Sequence, residues 1–208
     1  MQIIKHRINT IEQLKELPLE YGAEIDIRYH NDMLVIDHDP LRHHLAVPLI
    51  LLRDWLKHWE HNGTLILNVK TEGIEEECIK LMQEFSVRNW FFLDLSMPYF
   101  VKYVRKATSG LSCFSAENLA VRFSEYEPIE YALAFAGMAK WVWVDYFTHF
   151  PLADGAYKQL KESGFKFCLV SPELQQHQPE TISSLRALLG GKQIDAVCTK
   201  FPDLWLNG

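Results

Sequence analysis

The chain has 208 residues, 48% of them hydrophobic and 12% aromatic, and a net charge of −6. That length suits one domain around one core, and that composition excludes an intrinsically disordered chain. The negative charge argues against a nucleic-acid partner or an anionic membrane surface, since either would be repelled. The opening Met1-Gln2-Ile3-Ile4-Lys5-His6-Arg7 turns polar at once and carries no apolar signal core, so the cytoplasm is the expected location. The longest apolar run, residues 45–52, contains Pro48 and falls short of the roughly 20 residues that span a bilayer. Cys78, Cys113, Cys168 and Cys198 show no Cys-x-x-Cys spacing and read as reduced core thiols.

In chain order, short runs rich in β-formers alternate with helix-like runs, the rhythm of parallel strands joined by crossover helices. Strands are expected at residues 2–5, 23–29, 64–70, 90–95, 110–114, 141–146, 165–170 and 195–199. Helices are expected at 11–17, 48–61, 74–85, 98–106, 128–139, 153–162 and 179–188. Pro48, Pro98, Pro128 and Pro179 open four of them, and proline's fixed φ suits a first helical turn. Strands so separated predict an α/β fold, a closed (β/α)8 TIM-type barrel with short loops rather than an open doubly wound sheet. Residues 31–44 fit no crossover helix. There the Asn31-Asp32 turn leads into an extra strand, Met33-Leu34-Val35-Ile36, expected to fold over the barrel mouth.

Within Ala23-Glu24-Ile25-Asp26-Ile27-Arg28 polar and apolar residues alternate, which places Glu24, Asp26 and Arg28 on one face and turns Ile25 and Ile27 toward the helices. Two carboxylates directed into a barrel repel each other, so a cation is their natural partner, and hard oxygen ligands suit Mg²⁺ or Ca²⁺. The plainer alternative pairs them with Arg7, Arg28 or Lys70. The same alternation turns Asn68 and Lys70 inward near the C-terminal end of the third strand, where barrel active sites lie. His6 ends the first strand and His38 ends the extra segment, both facing the same region.

Other polar residues carry less. Ser115, Glu117, Arg122 and Glu125 read as a solvated loop, although Arg122 could stand near an anion there. Asp145 or Glu72 could add a third acid to Glu24 and Asp26. The pairs His43-His44 and His58 with His61 are expected in solvent, the latter on a helix three residues apart, with no catalytic role. Trp55, Trp59, Trp141 and Trp143 read as packing.

A family resemblance is carried by both ends of the chain. His6-Arg7-Ile8-Asn9-Thr10-Ile11-Glu12 resembles the His-Arg-Gly…Glu-Asn-Thr opening of glycerophosphodiester phosphodiesterases with its loop shortened. Gly22-Ala23-Glu24-Ile25-Asp26-Ile27-Arg28 is similar to their Gly-Ala-x-x-Glu-x-Asp-Val strand, and Leu34-Val35-Ile36-Asp37-His38-Asp39-Pro40 to their Val-x-x-His-Asp segment. The run from Ile194 to Leu204 resembles their closing Val-Asp-Gly-Ile-Ile-Thr-Asp-Tyr-Pro-Asp. The chain departs from the pattern at Ile8, where the family has glycine, and at Asn68, where it has an acidic metal ligand. It departs again at Lys200, in place of aspartate, and at Val170-Ser171, in place of Trp-Thr-Val-Asn.

The resemblance implies metal-dependent hydrolysis of a small phosphodiester. It gives Glu24, Asp26 and Asn68 to a Mg²⁺ or Ca²⁺ ion, Arg7 and Lys70 to the phosphate, and His6 and His38 to acid and base catalysis. The neutral Asn68 should lower metal affinity. Two alternatives stand beside it: a barrel that binds a phosphorylated metabolite or a protein partner without hydrolysing it, and an unrelated barrel isomerase or aldolase, which would want a catalytic lysine or glutamate elsewhere and draws only weak support from Lys70.

Overall fold

The structure, a computed structural model, describes residues 1–40, 48–110 and 114–206. Eight strands run parallel: β1 (Gln2–Lys5), β2 (Gly22–His30), β5 (Leu65–Val69), β6 (Trp90–Leu93), β7 (Ala120–Phe123), β8 (Trp141–Val144), β9 (Lys166–Val170) and β10 (Ala196–Thr199). They lie side by side as β6-β5-β2-β1-β10-β9-β8-β7. Between β6 and β7 the pairing shrinks to one parallel bridge, Phe92 with Leu119. The strands β3 (Met33–Ile36) and β4 (Ile50–Leu51) continue antiparallel from β2 as a side arm. The helices are α1 (Ile11–Glu16), α2 (Leu52–Leu56), α3 (Glu75–Glu84), α4 (Met97–Thr108), α5 (Ile129–Leu133), α6 (Asp154–Glu162), α7 (Thr181–Leu189) and α8 (Pro202–Leu206).

Strand alternation separates two cores. Ile3, Ile25, Leu67, Val121, Val142 and Leu169 pack with the buried faces of the helices. Ile4, Ile66, Phe91, Trp141, Cys168 and Ala196 form a smaller cluster of their own. The opposite sides of one strand therefore serve two cores, as barrel strands buried on both faces must. Gly22 fixes how closely β2 can lie: a Cβ there would meet the Thr64 carbonyl oxygen at 2.3 Å, so no side chain fits.

Several expected elements differ. The fifth barrel strand is β7, inside the stretch read as a polar loop; Arg122 at its centre interrupted the apolar run, while its neighbours Val121 and Phe123 alternate as a strand should. The expected strand at 110–114 falls mostly outside the described residues, as do Cys113 and the His43-His44 pair. The helix expected at 48–61 gives its start to strand pairing, Leu51 with Val35, and ends at Leu56. His58 and His61 thus lie beyond the helix, and His61 is half-buried, stacked on Trp59. The helix expected at 128–139 stops at Leu133. Trp55, Trp141 and Trp143 are core residues, Trp59 packs against the core, and Cys78, Cys168 and Cys198 are free and buried. Among the described residues no helix is long and apolar enough to cross a membrane.

Candidate active site

The polar side chains gather where β1 ends and along the neighbouring stretches of β2 and β5. On β2 the alternation buries Glu24 and Asp26 to 1% and 0% exposure. Asp26 is the register partner of Asn68 on β5. His6 leaves β1 with its N–H donated to the Thr199 carbonyl at 3.1 Å. The chain must then turn within a few residues, because Thr10 caps α1: its hydroxyl accepts from Gln13 N–H and its own N–H donates to the Gln13 side chain, each at 3.1 Å.

The turn is made at Arg7, whose φ of 54° costs a non-glycine residue on the order of 1 kcal/mol. This conformation accompanies a bond from the Arg7 N–H to Glu24 Oε2 at 2.8 Å. The missing family glycine therefore has a local answer. The left-handed residue is Arg7, while Ile8 buries its side chain and its carbonyl accepts from Trp55 Nε1 at 3.1 Å.

Every sequence-predicted site residue joins one contact network. Glu24 Oε1 accepts from Asn68 Nδ2 at 2.8 Å, and Glu24 Oε2 lies 3.8 Å from His6 Nε2. Burial and the adjacent Asp26 carboxylate push the Glu24 carboxyl up to about 7. Burial and then the neighbouring Arg7, Lys200, His38 and Lys70 push His6 down to about 3. At neutral pH that 3.8 Å contact therefore joins a neutral imidazole to a carboxyl group and is no ion pair. Asp26 Oδ2 accepts from Asn9 Nδ2 at 2.9 Å and lies 3.7 Å from Arg7 Nε, while Oδ1 lies 3.4 Å from Lys70 Nζ.

The β3 side arm brings in His38. Its Nε2 contacts Arg7 Nη2 and its Nδ1 contacts Asp39 Oδ1 at 2.8 Å, which a neutral ring with its hydrogen on Nδ1 satisfies at both ends. Arg28 secures the arm by donating to the His38 carbonyl at 2.7 Å. Asn9, whose side chain donates to Asp26 Oδ2 and accepts from the Asp26 backbone N–H, is the residue that strand alternation could not find, because it stands in a turn. Its only signal was the Asn9-Thr10 pair in the opening motif.

A second network occupies the mouth at β6, β7 and β8. Arg122 donates to Asp94 and to Asp145, its Nε lies 3.8 Å from Glu127, and Asp145 also accepts from Gln175 Nε2 at 2.8 Å. The anions beside Arg122 are thus the protein's own. Burial raises Asp145 to about 6 despite Arg122. Glu72 is exposed, and neither acid joins Glu24 and Asp26. Of the remaining loop residues, Ser115 caps a 3-10 turn, Glu117 pairs with Lys166 at 3.0 Å, and Glu125 accepts backbone N–H groups of Phe147, Thr148 and His149.

Two buried oxygens in the first network lack a hydrogen-bond partner, Asp26 Oδ1 and Asn68 Oδ1. With Glu24 they make an all-oxygen donor set of the kind hard divalent cations take, so the residues present fit such an ion. The fit is a weak one. Among the described residues no three His, Cys, Asp or Glu side chains are disposed to hold a metal, so a neutral amide must serve as the third donor. Lys70 also competes for Asp26.

No protein-family model matches the chain, and no curated protein sequence matches it. Its fold is shared with solved glycerophosphodiester phosphodiesterases. The enzyme from Agrobacterium tumefaciens str. C58 superimposes with a TM-score of 0.67 at 14% identity, covering 99% of each chain. That from Thermotoga maritima gives 0.69 at 16%, covering 98% of this chain and 96% of its own. A glycerophosphoryl diester phosphodiesterase from Parabacteroides distasonis ATCC 8503 gives 0.62 at 11%, covering 96% and 82%. At such identities the likeness is one of fold.

Proposed function

We propose that the chain is a divalent-metal-dependent phosphodiester hydrolase acting on a glycerophosphodiester or a similar small phosphodiester. The observation that carries this reading is the convergence of two histidines, two cations and two buried carboxylates on one patch of the barrel mouth. Glu24, Asp26 and Asn68 would hold Mg²⁺ or Ca²⁺, which when bound neutralises charge on the phosphoryl oxygens.

Arg7 and Lys70 bind the phosphate and stabilise the charge that grows on it. Arg7 contacts His38 in the free protein, so taking up the phosphate releases His38 Nε2. His38, oriented by Asp39, removes the proton from a substrate hydroxyl adjacent to the phosphoester. That oxygen bonds to phosphorus while the bond to the leaving alcohol breaks, and His6 supplies the proton that the alcohol takes away. The neutral His6 gains this proton when an anionic phosphate settles beside it, since nearby negative charge favours imidazolium. Water then opens the cyclic product with the two roles reversed.

The test is hydrolysis of a panel of glycerophosphodiesters, each with a hydroxyl adjacent to the phosphoester, with Mg²⁺, Ca²⁺ or chelator, beside His6→Ala. Metal-dependent turnover that His6→Ala loses is expected. Phosphate binding without turnover would instead establish the noncatalytic barrel, the reading that the neutral Asn68 favours.

A further inference from the structure

We infer that Asp94 and Arg122 are positioning residues for Lys70, holding its ammonium between two carboxylates at the barrel mouth instead of against Asp26 alone. The inference rests on the reading of Lys70 as a phosphate-binding group. Lys70 Nζ lies 3.4 Å from Asp26 Oδ1 and 3.7 Å from Asp94 Oδ2. Asp26 is fully buried, where low dielectric strengthens its pull on a flexible lysine. Left to that pull, Lys70 would neutralise the acid and leave the phosphate one donor short. A second carboxylate, just past the end of β6, divides the attraction.

Asp94 can do this only if it is itself fixed, and the contacts that fix it run inward step by step. Arg122 takes Asp94 Oδ1, which leaves Oδ2 for Lys70. The other terminal nitrogen of Arg122 takes Asp145, a residue only 1% exposed, and Gln175 holds the second oxygen of that carboxylate. A planar guanidinium holds its two carboxylates in a fixed fork geometry, where a flexible ammonium sets none. Independently, Asp94 has a φ of 62°, a left-handed backbone that a non-glycine residue keeps only where its surroundings over-determine it. Here both its carboxylate oxygens are engaged. A purely structural role, stapling β6 to β7 across their single bridge, would leave Lys70 indifferent.

A double-mutant cycle separates the two roles. Asp94→Asn and Lys70→Ala, singly and together, are assayed for kcat and KM on a glycerophosphodiester and for inorganic phosphate affinity by calorimetry. Asp94→Asn is expected to raise KM and the phosphate Kd about tenfold, as loss of an orienting partner does. In the Lys70→Ala background it should cost nothing further, since contacting residues acting through one group are non-additive. Arg122→Lys should follow Asp94→Asn, and if that variant does not fold the Asp94 cycle stands alone. Additive losses, or an Asp94→Asn protein indistinguishable from wild type, would overturn the inference while leaving the hydrolase reading intact. A wild-type protein that neither turns over diester nor binds phosphate removes that reading and the inference with it.

Discussion

The two halves of the barrel mouth treat their charges differently. Around β1, β2 and β5, the buried atoms His6 Nδ1, Asp26 Oδ1 and Asn68 Oδ1 have no hydrogen-bond partner. Around β6, β7 and β8, Arg122 is matched against Asp94, Asp145 and Glu127, and Gln175 completes Asp145. Burying a polar atom without a partner costs on the order of 1–3 kcal/mol, and at Asp26 and Asn68 that cost stays open, whereas the carboxylates around Arg122 close their contacts on it. On the reading proposed above, a ligand would complete the first set. On the proposed reading, a charged cluster binds where its atoms are left over and positions its neighbours where they are used up.

The sharpest break of this comparison is Asp26→Ala. Removing the fully buried acid should lower metal-dependent kcat/KM about a thousandfold, several kcal/mol of transition-state stabilisation, whereas Asn68→Ala should cost about tenfold. Equal losses, read from steady-state kinetics at saturating Mg²⁺, would show that charge is not what ranks these ligands.

Glu24 gives a pH signature of the same imbalance. Its carboxyl is raised from 4.5 to about 7, so the folded state prefers it protonated. That stability is fully present below 4.5 and is lost as pH rises through about 7. In metal-free buffer the wild type should therefore lose on the order of 2–3 kcal/mol relative to Glu24→Gln across that window. Denaturant unfolding at a series of pH values checks it. A flat difference would mean that the acid is not short of partners, and added Ca²⁺ should flatten it by favouring the carboxylate.

The smallest effect sharpens the comparison by adding charge. Asn68→Glu should tighten Mg²⁺ or Ca²⁺ binding about tenfold if the amide is the weak member of the donor set, because affinity of oxygen sites rises with ligand charge. Titration calorimetry that shows level or weaker binding would mean that the added carboxylate only repels Glu24 and Asp26.

Legibility in the sequence followed the same division. Glu24, Asp26, Asn68 and Lys70 could be placed because they alternate with Ile25, Ile27, Leu67 and Val69, and a period of two is readable without knowing any partner strand. The β7 strand hid for the opposite reason. Its inward residue Arg122 has its hydrogen-bonded carboxylates on other elements, Asp94 and Asp145, so the local sequence did not announce that a charge could face inward there. Asn9 was hidden by a turn set by the left-handed Arg7, where periodicity carries no information. Helix ends were misjudged where tertiary pairing intervened, as when Leu51 joined β3 instead of opening a helix.

The pairing of β1 with β10 has a consequence for how the site comes into being. Gln2 lies beside Ala196 and Lys5 beside Thr199, and Lys5 Nζ donates to the Lys200 carbonyl at 2.7 Å from 195 residues away. His6 donates its N–H to the Thr199 carbonyl in the same seam. On the ribosome, His6 therefore emerges long before Thr199 and waits for β10 to seat it. A nascent chain can build the β2 hairpin and most of the barrel wall while His6 still lacks a strand to lie against. The site closes only once β10 has been made, so a copy that stops short of β10 holds the acids of the site without the strand that seats His6.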